Sequence, residues 1–158
     1  MATSENLQEA FAGESQANRK YTAFAKKAEQ DGFKQVARLF RAAAEAETIH
    51  AHAHLRVIGG IKSTAENLVV ARDGEGYEFQ SMYPGFLAQA KTEGNAAAVK
   101  SFEFAMAAEK VHYGLYAKAL DLVKQGKDLD NAVIYLCPVC GNVEIGTLPD
   151  KCSICGVP

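Results

Sequence analysis

The helical part of this chain is written twice. Sliding Tyr21–His50 by 62 positions lays it on Tyr83–His112 without a gap, and nine of the thirty pairs are identical. They are Tyr21/Tyr83, Phe24/Phe86, Ala28/Ala90, Gly32/Gly94, Phe40/Phe102, Ala43/Ala105, Ala46/Ala108, Glu47/Glu109 and His50/His112. Shared alanine-rich composition accounts for some of these matches, but not for the Gly, Glu and His pairs. Residues 4–125 are rich in Ala, Glu, Lys, Gln and Leu, with apolar positions recurring at three and four, which predicts helix almost throughout. Breaks at Asp31-Gly32, Gly59-Gly60 and Glu93-Gly94 divide the region into four helices of roughly 25–30 residues. Ser63 and Glu66 have capping-box spacing, so the third helix is expected to begin near Thr64. Two similar helical hairpins facing each other make a pseudo-symmetric four-helix bundle.

The repeated positions carry chemistry. Glu47-Thr-Ile-His50 and Glu109-Lys-Val-His112 are both Glu-x-x-His, and residues three apart lie on one helix face. One helix can therefore offer a carboxylate and an imidazole to one metal, with the carboxylate bridging to a second. In bundles built this way the other two helices each supply a glutamate. Glu14 on the first helix and Glu75 on the third fill those places, and Glu78, one turn beyond Glu75, is a further candidate ligand. In the gapless repeat Glu14 falls opposite Gly76, so neither Glu75 nor Glu78 is its strict counterpart. His52 reads as a surface residue, while His54, four after His50, could approach the site.

Ala10-Phe-Ala-Gly precedes Glu14, Ala42-Ala-Ala-Glu-Ala precedes Glu47 and Phe104-Ala-Met-Ala-Ala precedes Glu109. Such small, apolar flanks turn these acids inward, where unpaired carboxylates need cations or protons. Five glutamates carry five negative charges. Two ferrous ions bring four positive charges and two ferric ions six, so the balance holds to within one unit in either state. Gly74 and Gly76 are costly inside a helix, and a close backbone approach or a local distortion near the metals would explain them.

All four cysteines lie in the last 22 positions: Cys137-Pro-Val-Cys140-Gly and Cys152-Ser-Ile-Cys155-Gly, with eleven residues between Cys140 and Cys152. Paired Cys-x-x-Cys-Gly turns place four thiolates tetrahedrally, and the glycines let backbone N–H groups point at sulfur. Spacing alone leaves iron and a structural zinc ribbon open. A thioredoxin-type pair lacks its βαβ context. The segment is too short to hold a core, so the metal must supply much of its folding energy. The organisation read from the sequence is a bundle over 1–125, a linker over 126–131 and a cysteine module over 132–158.

A net charge of −2 gives no reason to expect nucleic acid or acidic lipid as a partner. No run approaches the roughly 18 apolar residues of a membrane helix, and the N-terminus lacks a signal-peptide pattern. Reduced thiols and the absence of a leader point to the cytoplasm.

The combination resembles rubrerythrin over essentially the whole length. The match is carried by Ala12-Gly-Glu-Ser-Gln-Ala-Asn-Arg-Lys-Tyr21, the two Glu-x-x-His motifs, Gly76-Tyr-Glu-Phe-Gln-Ser-Met-Tyr-Pro84 and the rubredoxin-like cysteine pairs. Each Glu-x-x-His alone is shared with the wider ferritin-like group, whereas Glu78 and the appended module are more specific. The resemblance implies a ferritin-like four-helix bundle with a small C-terminal rubredoxin-like module. It also implies a di-iron peroxidase that reduces hydrogen peroxide to water and protects against oxidative stress.

Under that resemblance Glu47 and Glu109 bridge two irons, with Glu14 terminal on one and Glu75 and His112 terminal on the other. Glu78 and His50 exchange on the first iron as its oxidation state changes. Tyr21 and Tyr83 match tyrosines that hydrogen-bond within the site. Cys137, Cys140, Cys152 and Cys155 hold one further iron, or zinc in its place, which relays electrons to the di-iron site across a dimer. An external donor, a rubredoxin or an NAD(P)H-dependent reductase, is implied upstream. A ferritin-like protein that oxidises and stores iron is the competing reading, and a redox sensor reporting peroxide is a third. Relatives commonly run several residues beyond the last cysteine pair, whereas this chain stops at Gly156-Val-Pro158, so its module is expected to be less well closed.

In the usual ferritin-like bundle the second and third helices run parallel. Their connection must then span the bundle, about 40 Å for a 27-residue helix. Gly59 to Ser63 is five residues, which reach only about 18 Å fully extended. Either the third helix starts much later than its capping box suggests, or it crosses into a partner bundle. The second is expected: a domain-swapped homodimer. Each dimetal site would then take Glu14, Glu47 and His50 from one chain and Glu75, Glu78, Glu109 and His112 from the other.

Overall fold

A computed structural model describes residues 2–158. The chain divides into two compact units, one ending at Lys62 and the other running Ser63–Pro158. The division falls inside the short connection the sequence singled out.

The first unit is a helical hairpin of α1 (Thr3–Gln30) and α2 (Lys34–Ile58). The turn between them is enforced by Gly32, whose φ of 85° lets Phe33 N–H reach back to the Ala28 carbonyl at 2.8 Å. Ala37, Ala44 and Ala51 are buried at seven-residue spacing along α2, and Ala25 and Ala28 are buried on α1, which packs against it, so the hairpin's core is a seam of small residues. A seam without bulky side chains lets the helices approach closely. One polar residue is buried in it. Asn18 donates from Nδ2 to the Ala44 carbonyl at 2.6 Å and to Thr48 Oγ1 at 2.7 Å, while its Oδ1 accepts from Arg19 Nε at 2.8 Å.

The second unit holds α3 (Thr64–Tyr77), a π-helical turn (Glu78–Met82), α4 (Tyr83–Thr92) and α5 (Ala96–Lys124). The capping box is present: Ser63 Oγ accepts from Glu66 N–H at 3.3 Å and a Glu66 carboxylate oxygen accepts from Ser63 N–H at 3.2 Å. The third helix therefore does begin at Thr64, and the late-start alternative falls away. What the sequence reads as one uninterrupted helix is broken by the π turn. Gly76 is buried just before it, and a Cβ there would stand 3.2 Å from two Tyr113 ring carbons. That close approach accounts for Gly76, whereas nothing lies within 4 Å of a Cβ at Gly74.

The internal repeat is structural as well as written. Tyr21, Phe24 and Phe40 cluster with ring centroids 5.6–6.3 Å apart. Their counterparts Tyr83, Phe86 and Phe102 do the same at 5.8–6.4 Å. After α5 the chain forms a two-stranded antiparallel ribbon, β1 (Ile134–Leu136) with β2 (Val143–Ile145), in which Tyr135 faces Glu144. β2 packs on α5. No helix among the described residues is long and apolar enough to cross a membrane.

Replacing Asn18 by Ala leaves the first unit without its buried amide. We expect that change to cost about 1–3 kcal/mol, read as a lower urea midpoint of the metal-free protein.

Candidate metal centres

Two trios of ligand-type side chains, one in each unit, share a single geometry. In the first, His50 Nδ1 lies 3.0 Å from a Glu47 carboxylate oxygen and 3.6 Å from one of Glu14. In the second, His112 Nδ1 lies 2.7 Å from Glu109 and 3.8 Å from Glu75. Within each trio one atom from every residue falls within 4.8 Å of the others, the spacing at which one cation can be shared. The 3.6-residue period produces this directly, because Glu and His three apart stand on one face of α2 and of α5.

The acids are half-buried, and burial shows in their proton affinity. Desolvation first, then the neighbouring Glu109, pushes Glu75 up from 4.5 to about 7, with His112 pulling the other way. Glu14 is raised by a shared hydrogen bond with Glu47, then by desolvation and by that residue's charge, and it is lowered by His50 and more weakly by His54. His54 thus stands within electrostatic reach of the first trio. Without a cation each carboxylate pair favours sharing a proton; a divalent ion in its place lets both acids ionise.

Glu78 lies outside the second trio but inside its field. It opens the π turn, and its carboxyl is raised by burial and then by Glu109, with His112 opposing. Tyr83 closes the set on the far side of that turn: burial, then Glu78, Glu109 and Glu75, raise its hydroxyl above the usual tyrosine range. Tyr21 sits in the first aromatic cluster.

His112 makes a contact the sequence did not disclose. Its Nε2 lies 3.0 Å from the Gly141 carbonyl oxygen. A carbonyl only accepts, so Nε2 carries a proton there, and Nδ1, beside Glu109 and Glu75, is the nitrogen a metal would take. This is the tautomer a metal requires, held by an outer partner. No sequence pattern marks Gly141 for this role beyond its place after Cys140.

The four cysteines converge as well. Cys137 and Cys155 sulfurs are 3.6 Å apart and Cys140 and Cys152 sulfurs 3.5 Å. These separations are far beyond a disulfide and close to the roughly 3.7 Å edge of a tetrahedron with about 2.3 Å metal–sulfur bonds. Two matching knuckles hold them. Gly141 N–H bonds the Cys137 carbonyl at 3.0 Å and Gly156 N–H the Cys152 carbonyl at 2.9 Å, both glycines at positive φ. Backbone N–H groups of Cys140 and Val139 lower the Cys137 thiol, and those of Cys155 and Ile154 bring Cys152 down to about 6. Burial instead pushes Cys140 up to about 12. The two knuckles also share a returning bond: Cys152 N–H bonds the Val157 carbonyl at 2.7 Å, and Cys137 N–H bonds that of Asn142 at 2.8 Å.

Carboxylate–histidine trios on a repeated helical hairpin, followed by a four-thiolate knuckle pair, define a non-haem iron protein of the carboxylate-bridged class with an appended rubredoxin-like centre. The Rubrerythrin family model matches residues 5–120, and the chain belongs to that family. It is 39% identical to nigerythrin of Nitratidesulfovibrio vulgaris, covering 99% of this chain and 83% of that protein. It is 34% identical to rubrerythrin-2 of Clostridium acetobutylicum, covering 98% and 92%. A solved structure of fully reduced, all-ferrous nigerythrin superposes with a TM-score of 0.59 at 38% identity, covering all of this chain and 84% of that one. The architecture is accordingly ferritin-like with a C-terminal four-cysteine module, and both ligand sets fit the iron that the family binds at each. Its members are di-iron oxidoreductases of oxidative-stress defence.

The raised Glu75 carboxyl has a stability consequence. A glutamate raised above its ordinary value binds its proton more tightly folded than unfolded, so its contribution is full below 4.5 and lost as pH rises through about 7. Metal-free protein should therefore melt at a lower temperature as this window is crossed upward. Iron- or cobalt-loaded protein should not show that fall, because the cation holds the ionised acids. Thermal melts of both forms across the window check this.

Proposed function

We propose that this protein reduces hydrogen peroxide to water, with electrons entering through the four-cysteine centre. The observation that carries the reading is the fifth carboxylate, Glu78, on a π turn beside the second trio. A ferritin-type store needs no such residue and no dedicated electron entry. When bound, the iron pair supplies the two electrons that cleave the peroxide O–O bond, and the four-thiolate iron supplies their replacements one at a time. The balance is one peroxide, two electrons and two protons to two waters.

The side chains have distinct tasks. Glu47 and Glu109 would be shared between the two metals, Glu14 would hold one of them, and Glu75 and His112 the other. Glu78 and His50 would alternate at one metal as its charge changes, an anionic ligand suiting the oxidised state and a neutral one the reduced state. The π turn suits Glu78 to this, since such turns loosen local backbone geometry at functional sites. Tyr83, held protonated by burial and three acids, can donate from its hydroxyl, and Tyr21 stands at the repeat-related place.

We further propose that each complete site is drawn from two copies of the chain. α2 has 25 residues, about 37 Å at 1.5 Å per residue, whereas Gly59–Ser63 extends only about 17 Å. The exposed Leu39, Ile49 and Val57 of the first unit, each at 66–70%, are apolar surface that a partner's helices would cover. Peroxide from solution, an external one-electron donor and a second copy are then the partners, and the cytoplasm is the matching compartment.

Protein carrying iron at all sites, given a reductant, should consume peroxide catalytically. Glu78→Ala should slow turnover by about 10–100-fold while both trios still take up iron. Removing residues 132–158 should abolish donor-driven turnover. Iron uptake and mineral formation without peroxide turnover would instead indicate storage.

A further inference from the structure

Asn142 is, with Leu120, one of the two largest side chains among the described residues with essentially no exposure, at 1%. Its main chain and side chain face different partners. Through the backbone, its N–H hydrogen-bonds the Cys140 sulfur and its carbonyl accepts from Cys137 N–H at 2.8 Å. Through the side chain, Nδ2 donates to a Glu144 carboxylate oxygen at 2.9 Å and to Ser153 Oγ at 3.2 Å, and lies 3.9 Å from the Cys152 sulfur. Ser153 Oγ donates to the same Glu144 oxygen at 3.0 Å. The carboxylate fixes the amide's orientation, because turning it over would set Oδ1 against Glu144. As it stands, Oδ1 has no partner, a cost that a leucine of similar size would avoid.

The peptide group between Gly141 and Asn142 is what this anchoring serves. Its carbonyl accepts from His112 Nε2 at 3.0 Å, and its N–H bonds the Cys140 sulfur. One planar unit therefore touches a ligand of the carboxylate site at one end and a ligand of the thiolate site at the other. Rotating it by some tens of degrees about its flanking bonds would weaken both contacts. Gly141, at φ 81° and with no side chain, cannot resist that rotation by itself.

We infer that Asn142 is a positioning residue: its clamped amide holds the Gly141–Asn142 peptide in the one orientation that connects Cys140 to His112. This rests on the proposed electron entry through the cysteine centre. One electron at a time leaves the ferrous four-thiolate iron, making it ferric, and enters the carboxylate site; two such transfers and two protons accompany each peroxide converted to two waters.

The test compares wild type with Asn142→Leu in the full iron-loaded chain. Both are reduced and mixed with peroxide, and the return of the ferric four-thiolate absorption is followed by stopped flow. Asn142→Leu should keep the absorption spectrum of its cysteine iron yet recover at least about tenfold more slowly, the scale on which outer-shell partners act. A second readout separates positioning from simple folding. With cadmium-113 in the cysteine site, the spin coupling between the metal and the Asn142 amide proton through Cys140 should weaken. The coupling through Cys155, whose sulfur accepts from the Val157 N–H, should persist. Should Asn142→Leu fail to retain metal, Glu144→Ala, which removes the amide's closest acceptor, takes its place with the same expectations. An unchanged recovery rate, or equal loss of both couplings, overturns the inference. Wild type whose reduced cysteine iron is not reoxidised by peroxide overturns the underlying reading of function instead.

Discussion

Carboxylates crowded onto the faces of alanine-rich helices repel one another and lose hydration, and the rest of this structure follows from how that is relieved. Glu75 beside Glu109 and Glu14 beside Glu47 each hold a proton more tightly than a glutamate in water does. A proton settles one charge per pair. If the two trios and Glu78 form one site, as proposed, two divalent cations would neutralise all but one of five carboxylates, and oxidation of both would carry the balance one unit past neutrality. Under the proposed function the same arithmetic would give alternating use to Glu78, an anionic ligand, and His50, a neutral one. It also explains why Nδ1 of each histidine is turned toward carboxylates and why the outer nitrogen of His112 is committed to a carbonyl.

The helices that carry these groups are built for close approach. Alanines at seven-residue spacing along α2 form a seam that brings Glu14 of one helix within reach of Glu47 and His50 of the next. In the second unit Gly76 lies under the Tyr113 ring, immediately before the π turn that sets Glu78 apart from Glu75. The cysteine knuckles obey the same electrostatics on a smaller scale. Backbone N–H groups aimed at Cys137 and Cys152 favour thiolate, while the more enclosed Cys140 requires a metal to lose its proton.

Most of this was legible in the residues. Spacing three apart, repeated after 62 positions, named both trios, and the capping box placed the start of α3 to the residue. The Cys-x-x-Cys-Gly pairs named the second centre, whose metal the family settles as iron. Gly74 and Gly76 hinted at a local distortion, but its form as a π turn at Glu78–Met82 was not legible, because the Tyr113 ring packed on Gly76 is a tertiary contact. Nor was the His112–Gly141 contact, which joins residues 29 apart through a carbonyl that every residue possesses. Asn18 and Asn142 were passed over for a related reason. A single asparagine in a helix or after a turn reads as surface, and only the fold reveals that each is buried and fully engaged on its donor side.

The central proposal is that each pair of cations is held by two trios drawn from two copies of the chain. Differently tagged chains carrying Glu47→Ala and Glu109→Ala, co-expressed and purified through both tags, test it most directly by iron content and by the magnetic coupling of an iron pair. In a swapped dimer one site of each heterodimer collects both lesions and the other collects none. One tightly held, coupled iron pair should therefore return in every heterodimer, while neither homodimer holds one. If the mixed dimers are as deficient as the homodimers, every site draws its ligands from a single chain and the account is wrong.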